Sequence, residues 1–258
     1  MIKITIITCT YNASSTIERT LKSVLCQHYQ QVEHLIIDGC SKDNTLALAE
    51  KYKSLSDNAD NGHEVVIVSE RDKGLYDAMN KGLQRATGDY LVFLNAGDKL
   101  PDADTLELVA SSVADGERLP GVIYGNTDVV DDDGNFLCHR RLAPHEGMTW
   151  RDFRNGMLIC HQAFYALTSI ARNQPYDLSL RLSADVDWCI SVMKQSEREG
   201  RQLRFANHVV AHYLEGGMSI QNHRASLIER FKVMRRHYGL PRTILQHLWF
   251  VVRAVIKK

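Results

Sequence analysis

The 258-residue chain has no excess of charge of either sign, because 31 lysines and arginines stand against 31 aspartates and glutamates. Nucleic-acid-binding proteins usually carry a basic excess, so this class is disfavoured. The six cysteines include no Cys-x-x-Cys pair and no histidine at zinc spacing, which disfavours a structural zinc site. Several of them stand in apolar runs, where cysteine acts as a small hydrophobic residue, so we expect a reduced, intracellular chain.

The sequence also lacks a long hydrophobic run, since none reaches the roughly 20 residues of a membrane-spanning helix. A strand-like segment begins at Ile2 and leaves no room for a signal peptide, so we expect a cytoplasmic protein. The C-terminal segment 244–256 places Trp249 and Phe250 among aliphatic and basic residues. This pattern is typical of a helix on the inner, anionic face of a membrane, and equally of a terminal helix that packs on the core or on a second subunit.

Two phosphate-binding signatures are missing as well: there is no G-x-x-x-x-G-K-[ST] loop and no G-x-G-x-x-G after the first strand. What is present is an alternation of β-rich and helical segments over residues 1–100, which predicts an α/β fold with a mostly parallel central sheet flanked by helices. The pattern changes over 101–220, where a hairpin is expected around Asp133-Gly134. Residues 221–258 form a basic helical extension.

Polar residues follow each of the first four predicted strands. In parallel sheets the carboxyl ends of the strands share one edge, and ligands bind there, so these residues are expected to line one crevice. The crevice would hold the carboxylates of Asp38, Asp72 and Asp98. Carboxylates accept hydrogen bonds from a base or a ribose and hold divalent cations, which favours a nucleotide diphosphate bound with Mg²⁺ or Mn²⁺.

Four motifs in this order carry a resemblance to a known family. They are Thr-x-Thr-Tyr-Asn at 8–12, Ile-Ile-Asp-Gly-x-Ser-x-Asp-x-Thr at 36–45, Ser-Glu-x-Asp-x-Gly-Leu-Tyr-Asp-Ala-Met-Asn-Lys-Gly at 69–82 and Phe-Leu-Asn-Ala-Gly-Asp at 93–98. The order resembles family 2 glycosyltransferases with the GT-A fold, and among them the bacterial exopolysaccharide enzymes of the colanic acid type. The resemblance continues through Cys-His-Gln-Ala-Phe-Tyr, Ser-Ala-Asp-Val-Asp and Gly-Gly-Met-Ser, and covers residues 1–220.

The resemblance implies a role for individual residues. Residues 1–100 become the donor half and 101–220 the acceptor half of one GT-A domain. Asp185 is implied as the catalytic base, Asp98 as the metal ligand for Mg²⁺ or Mn²⁺, and His161 and Asp187 as contacts to the acceptor or the diphosphate. The donor nucleotide is expected to meet Thr8, Tyr11, Asn12, Asp38, Asp72 and Asn95.

Two departures from the family pattern bear on these roles. The D-x-D positions read Asn95 and Gly97, so only Asp98 keeps a carboxylate. The spacing of Asp185 and Asp187 does not decide which of them is the base. The alternative to a catalytic role is helix capping, because Ser183 or Asp185 could cap a helix that begins near Val186.

The predicted function is inverting transfer of a sugar from a nucleotide-diphosphate donor, a UDP-sugar, to a saccharide acceptor. The acceptor is expected to be lipid-linked, in the biosynthesis of a cell-surface polysaccharide. The alternatives are a non-catalytic nucleotide-sugar-binding subunit and a sugar nucleotidyltransferase. The latter would normally have a glycine-rich basic loop after the first strand, and residues 8–12 contain neither glycine nor lysine.

Overall fold

The computed structural model describes residues 1–114, 116–216 and 222–256. It contains eight strands, whose bounds are β1 Ile4–Thr10, β2 Val32–Asp38, β3 Glu64–Ser69, β4 Tyr90–Phe93, β5 Val122–Val130, β6 Phe136–His139, β7 Phe164–Leu167 and β8 Leu203–Leu214. All eight belong to one sheet with the order β3-β2-β1-β4-β7-β5-β6, and β8 pairs with β5. The described helices are α1 Ile17–Leu25, α2 Thr45–Asn58, α3 Leu75–Arg85, α4 Thr105–Ser111, α5 Thr168–Ala171, α6 Ala184–Arg198, α7 His223–Tyr238 and α8 Leu240–Ile256.

The first four strands form the parallel part of the sheet, with β1 between β2 and β4 and with β3 outside β2. All seven residues of β1 and of β2 are buried, as expected for strands covered on both faces. Helix α3 lies close against β1, because a β-carbon at Gly82 would come within 2.5 Å of Ile7 Cγ2. The predicted α/β architecture is confirmed in this half.

The second half continues the same sheet. Strand β7 pairs antiparallel with both β4 and β5, while β8 runs parallel to β5. The expected hairpin is present between β5 and β6, and its turn is closed by a hydrogen bond from the Gly134 N–H to the Asp131 carbonyl. Gly134 has a φ of +85°, which explains the glycine at this position. The run of aspartates beside it is therefore a turn.

The C-terminal helices α7 and α8 are separated by Gly239, at a φ of +80°. Helix α7 lies against α6, and α8 lies against α7 and a short 3₁₀ segment at Trp150–Asn155. The predicted boundary at 220/221 and most of the Gly-Gly-Met-Ser motif fall within 217–221, outside the described residues. In the described part of the chain, no helix is both long and apolar enough to cross a membrane.

Candidate active site

Asp38 stands at the end of β2 and organises the loop that follows it. Its carboxylate accepts four hydrogen bonds, from the hydroxyls of Thr10, Ser41 and Ser69 and from the backbone N–H of Ser41. Burial opposes ionisation of Asp38, yet these four donors outweigh it and hold its pKa below the ordinary value. Asp38 is 1% exposed, so its oxygens are already occupied by the protein.

The prediction that Asp38 accepts a hydrogen bond from the base does not fit this arrangement. An ionised carboxylate offers about four acceptor positions, and the protein fills four. Asp38 instead joins the ends of three neighbouring strands, because its donors lie on β1, β3 and the loop after β2. Asp38 therefore holds the loops at this edge of the sheet in position.

Gly39 lies between Tyr11 and Asp72 at the edge where the strands end. A β-carbon at Gly39 would overlap Oδ2 of Asp72 and would lie 3.4 Å from Cδ2 of Tyr11. The Tyr11 side chain is 61% exposed, so one aromatic face is free to stack on a ligand. Asp72 also accepts from the Gly74 N–H at 2.8 Å, which fixes its carboxylate. An exposed ring beside a fixed carboxylate suits recognition of a flat base that carries an N–H.

Asn12 joins two of the strand-end loops. Its backbone N–H donates to the Ser41 hydroxyl at 2.9 Å, and its side-chain oxygen accepts from the Lys42 N–H at 2.8 Å. It has a φ of +50°, a left-handed conformation that asparagine tolerates better than most residues. Its side-chain oxygen is thus engaged with the backbone, which leaves the amide nitrogen for a ligand.

Thr8 is not at the surface of the crevice. It is fully buried, donates to the Leu94 carbonyl at 2.8 Å and bonds Nε2 of His34 at 2.9 Å. The prediction that Thr8 contacts the base is therefore corrected. Side chains alternate between the two faces of a strand, so the motif residue two positions later, Thr10, shares the face of Thr8 and bonds Asp38.

Three predicted site residues from distant parts of the chain meet in one row. The Asn95 side-chain amide lies 3.0 Å from Nε2 of His161, and Nδ1 of His161 lies 3.5 Å from Oδ2 of Asp185. The second distance is at the limit for a hydrogen bond, and Nδ1 of His161 has no hydrogen-bond partner among the described residues. Nε2 of His161 accepts from the Asn95 amide, and Nδ1 is the ring nitrogen that faces Asp185. The row leads from the donor edge to the predicted base.

Asp185 is ionised in this setting. Burial opposes its ionisation, but His161, the Val186 N–H and the charge of Arg230 on α7 together hold its pKa below the ordinary value. The Tyr76 hydroxyl lies 3.4 Å from its other oxygen, Oδ1. The side chain is 18% exposed, so a partly open carboxylate remains available to accept a proton from a ligand.

Asp187 does not face the side of α6 on which Asp185 meets His161. Its two oxygens pair with Arg236 at 3.0 Å and with His237 at 2.8 Å, both on α7. Arg236 also pairs with Asp177 at 2.8 Å. Residues two apart on a helix point about 200° apart, so Asp185 and Asp187 cannot share a direction. The prediction that Asp187 contacts the acceptor or diphosphate is corrected: it holds α7 against α6.

Asp98 is buried and committed to protein partners. One oxygen accepts from the Gln162 amide at 2.7 Å, and the other accepts from the Leu214 N–H at 2.9 Å. Within 1–114, 116–216 and 222–256, no group of three or more histidine, cysteine, aspartate or glutamate side chains could hold a metal ion. These residues do not form a Mg²⁺ or Mn²⁺ site by themselves, and both oxygens of Asp98 are engaged with the protein. The role of Asp98 as a metal ligand stays a prediction. The nearby amide oxygen of Asn95 is buried and has no partner among the described residues.

The burial of Asp98 leads to a prediction about stability. Burial raises the pKa of Asp98 to about 6 from an ordinary value of 3.8. At a pH between these two values, Asp98 is protonated in the native protein and ionised in the unfolded chain. Stability should therefore fall as the pH rises through this window and stay level above it. The loss can reach about 3 kcal/mol.

Urea unfolding of the parent and of Asp98→Asn at several pH values between about 4 and 7 measures this effect. The difference in unfolding free energy between the two proteins should change in favour of the variant as the pH rises, because asparagine does not ionise. Parallel pH profiles for the two proteins would contradict the assignment.

Residues 5–173 match the family model described as glycosyl transferase family 2, which is more than half of the chain. The chain belongs to glycosyl transferase family 2. Over 218 residues this glycosyltransferase is 35% identical to a PGL/p-HBAD biosynthesis glycosyltransferase of Mycobacterium tuberculosis, with 83% of this chain and 78% of the relative covered. It is 36% identical over 158 residues to the putative teichuronic acid biosynthesis glycosyltransferase TuaG of Bacillus subtilis, covering 61% and 59%.

Solved structures agree on the fold of the glycosyltransferase. TarS of S. aureus, residues 1–349 in complex with UDP-GlcNAc, superposes with a TM-score of 0.69 at 18% identity, covering 90% of this chain. The chain spans 64% of that TarS fragment. The mannosyltransferase PcManGT of Pyrobaculum calidifontis, solved with GDP-Man and Mn²⁺, gives a TM-score of 0.62 at 20% identity, covering 95% of this chain and 68% of the neighbour. The predicted GT-A fold is confirmed, while the colanic-acid subtype stays a prediction.

Three residues at this site were missed by the sequence reasoning. Tyr76 lies inside the 69–82 motif, and Gln162 follows His161 in another motif, so both carried a usable signal. Arg230, which brings positive charge near Asp185, carried none beyond the basic composition of the last forty residues. Its Nε is buried without a partner among the described residues.

Proposed function

We propose that this glycosyltransferase inverts the anomeric carbon while moving a sugar from a nucleoside-diphosphate donor, a UDP-sugar, to a saccharide acceptor. The observation that carries the proposal is the row of Asn95, His161 and Asp185. It starts at the donor edge of the sheet and ends on an ionised, partly exposed carboxylate. The donor edge itself offers Tyr11 and Asp72.

The donor assignment is supported from two sides. The exposed Tyr11 ring can stack on the base, and the fixed Asp72 carboxylate can accept an N–H of the base or a ribose hydroxyl. Asn95 follows the last residue of β4 by two positions, and we assign it to the ribose or the diphosphate of the donor. The two fold neighbours are described with UDP-GlcNAc and with GDP-Man, so both are complexes of nucleotide sugars.

The proposed chemistry is a single displacement. As the acceptor hydroxyl attacks the anomeric carbon, Asp185 takes its proton, the new glycosidic bond forms, and the bond to the nucleoside diphosphate breaks. His161 orients the base, and the charge of Arg230 favours the ionised form of Asp185 before the proton is transferred. One base and one displacement give inversion.

The acceptor we propose is a lipid-linked saccharide in cell-surface polysaccharide synthesis. The relatives named above are described as enzymes of PGL/p-HBAD and of teichuronic acid biosynthesis. A lipid-linked acceptor requires contact with a membrane surface, and we assign that contact to α8 at the inner face of the membrane. Described large apolar side chains of this helix are exposed to solvent.

Calorimetric titration with UDP, GDP, ADP and CDP tests the donor assignment. UDP should bind most tightly, and Tyr11→Ala should weaken UDP binding about tenfold, which corresponds to the loss of one aromatic–base stack. Phe is the matched replacement, because Tyr11→Phe keeps the ring and should bind UDP like the parent. Absence of binding by every nucleoside diphosphate would defeat the proposal.

The same titration, repeated with Mn²⁺, with Mg²⁺ and with a chelator, measures whether a cation is needed. The sequence predicts Mg²⁺ or Mn²⁺, but Asp98 is committed to Gln162 and Leu214. We therefore expect UDP to bind in the chelator. If removal of the cation abolished binding, Asp98 would have to exchange its partners for the ion.

A further inference from the structure

Helix α8 exposes an apolar stripe along one face. Leu245 is 67% and Trp249 55% exposed, and Ile244, Leu248 and Val252 lie between 44% and 58%. Their spacing of three and four residues places them on one side of the helix. The opposite side is anchored, since Thr243 is fully buried. The stripe runs for about 10 Å between Leu245 and Val252.

A cationic cleft adjoins this stripe. It has a volume of about 270 Å³ and lies between α7, the start of α8 and the 3₁₀ segment. Its lining includes Trp150, Arg151, Arg154, Tyr238, Arg242 and Leu245. Leu245 belongs to both features, so the apolar stripe begins where the cleft opens.

Aromatic stacking and hydrogen bonds connect the residues of the cleft wall. The rings of Trp150 and Tyr238 stack with centroids 5.5 Å apart, and the Tyr238 hydroxyl donates to the Trp150 carbonyl. The guanidinium of Arg151 lies 4.6 Å from the centroid of the Trp150 ring, and the Trp150 indole N–H donates to Glu197. The aromatic pair thus holds the 3₁₀ segment against α7.

Among the residues that the structure describes, two of the three arginines have no ion-pair partner. Arg151 pairs with Glu197 at 2.6 Å, and the nearby Asp152 is engaged with the Thr149 hydroxyl and N–H. Arg154 and Arg242 are exposed and have no ion pair among the residues that the structure describes. The cleft therefore presents two guanidinium groups without an ion-pair partner in the described part of the chain, and the guanidinium group is well suited to binding phosphate oxygens.

We propose that this cleft binds the phosphate headgroup of an anionic membrane phospholipid, with the acyl chains along the apolar stripe of α8. The proposal extends the lipid-linked acceptor, because it gives the membrane contact a defined headgroup site. A bare phosphate would not account for the apolar stripe. A second copy docked symmetrically about the stripe would bring the unpaired arginines of both copies toward one another, at an electrostatic cost.

Vesicle co-sedimentation of the full chain tests the proposal without any transfer reaction. Vesicles of phosphatidylcholine with phosphatidylglycerol should bind the protein more tightly than vesicles of phosphatidylcholine alone. Arg154→Gln combined with Arg242→Gln should weaken the anionic binding about 25-fold, about fivefold for each charge. Leu248→Ser combined with Trp249→Ser should reduce binding to both kinds of vesicle.

Lys22→Gln combined with Lys51→Gln is the matched control. It removes two exposed charges that have no ion pair among the described residues. They lie on α1 and α2, which pack against each other, and their removal should change vesicle binding less than twofold. Titration with UDP on the same variants separates this proposal from the donor site, because nucleotide binding should not change in any of them.

Three results would overturn the assignment. If the parent and the double arginine variant bound anionic vesicles equally well, the cleft would not be part of the membrane contact. A dimer that dissociates in the Leu248/Trp249 variant, with no vesicle binding by the parent, would identify a second copy as the occupant. If the protein bound inorganic phosphate at these arginines but bound neither kind of vesicle, the occupant of the cleft would be a free anion rather than a lipid.

Discussion

Replacement of Asp185 by asparagine is expected to lower the rate of glycosyl transfer by about 10²- to 10⁴-fold. The affinity for UDP should stay within about twofold of the parent, because the side chain lies beyond Asn95 and His161 from the donor edge. Asparagine has nearly the same shape and keeps the approach to His161 and Tyr76, but it cannot accept the proton of the acceptor hydroxyl. Single-turnover transfer from a UDP-sugar and calorimetry with UDP measure the two quantities.

The pH dependence of the parent provides a second readout. The pKa of Asp185 lies below its ordinary value of 3.8, so the base is ionised at every pH above about 5. Its own titration should therefore leave the transfer rate level between about pH 5 and pH 8. A fall of activity in that range would have to come from another group.

Asp187→Asn is the control for this experiment. Asp187 stands two residues away and pairs with Arg236 and His237, so its replacement should lower the stability of the α6–α7 contact rather than the chemical step. Full transfer activity in Asp185→Asn would show that another group is the base. A chemical step slowed only in Asp187→Asn would reverse the roles given to the two carboxylates.

Replacement of Asp38 by asparagine is expected to lower the free energy of unfolding by about 2–4 kcal/mol. The carboxylate accepts four hydrogen bonds at 1% exposure, two on each oxygen. An amide nitrogen in place of one oxygen would face two donors at a site closed to water. Urea unfolding at neutral pH measures the loss.

The same substitution should also remove part of the acid sensitivity of the protein. Because the folded pKa of Asp38 is lowered, its contribution is present above the unfolded value near 4 and is lost as the pH falls through the folded pKa. Asp57→Asn is the matched control, since Asp57 forms an exposed pair with Lys53 one helical turn away, and it should cost less than about 0.5 kcal/mol. Equal stability of Asp38→Asn and the parent would contradict the role given to Asp38.

Local patterns in the chain were sufficient for much of the fold. Buried apolar runs predicted β1 and β2, and Asp133-Gly134 predicted the hairpin turn. Both signals act between near neighbours, where strand burial and turn geometry constrain the residue type directly. The shared edge of the four parallel strands followed from the alternation of strands and helices, because right-handed crossovers leave few other arrangements.

The partners of the carboxylates could not be obtained in the same way. Asp98 meets Gln162, Asn95 meets His161, and these pairs stand 64 and 66 residues apart. Such contacts depend on how β7 and β8 join the sheet, and a single sequence carries no pattern that links two positions so far apart. Asp98 therefore suggested a metal ligand, although its oxygens face Gln162 and β8.

The choice between Asp185 and Asp187 shows which part of the site follows from the sequence and which part requires the tertiary structure. Helical geometry requires that two residues two apart point in different directions, and this much follows from the sequence once α6 is predicted. Which of them faces the donor edge depends on α7, whose Arg236 and His237 occupy Asp187. Local sequence patterns were therefore sufficient to predict the fold and the types of residue at the site. The direction of each carboxylate was set by long-range packing, because a buried charge orients toward whichever donors the assembled elements bring to it.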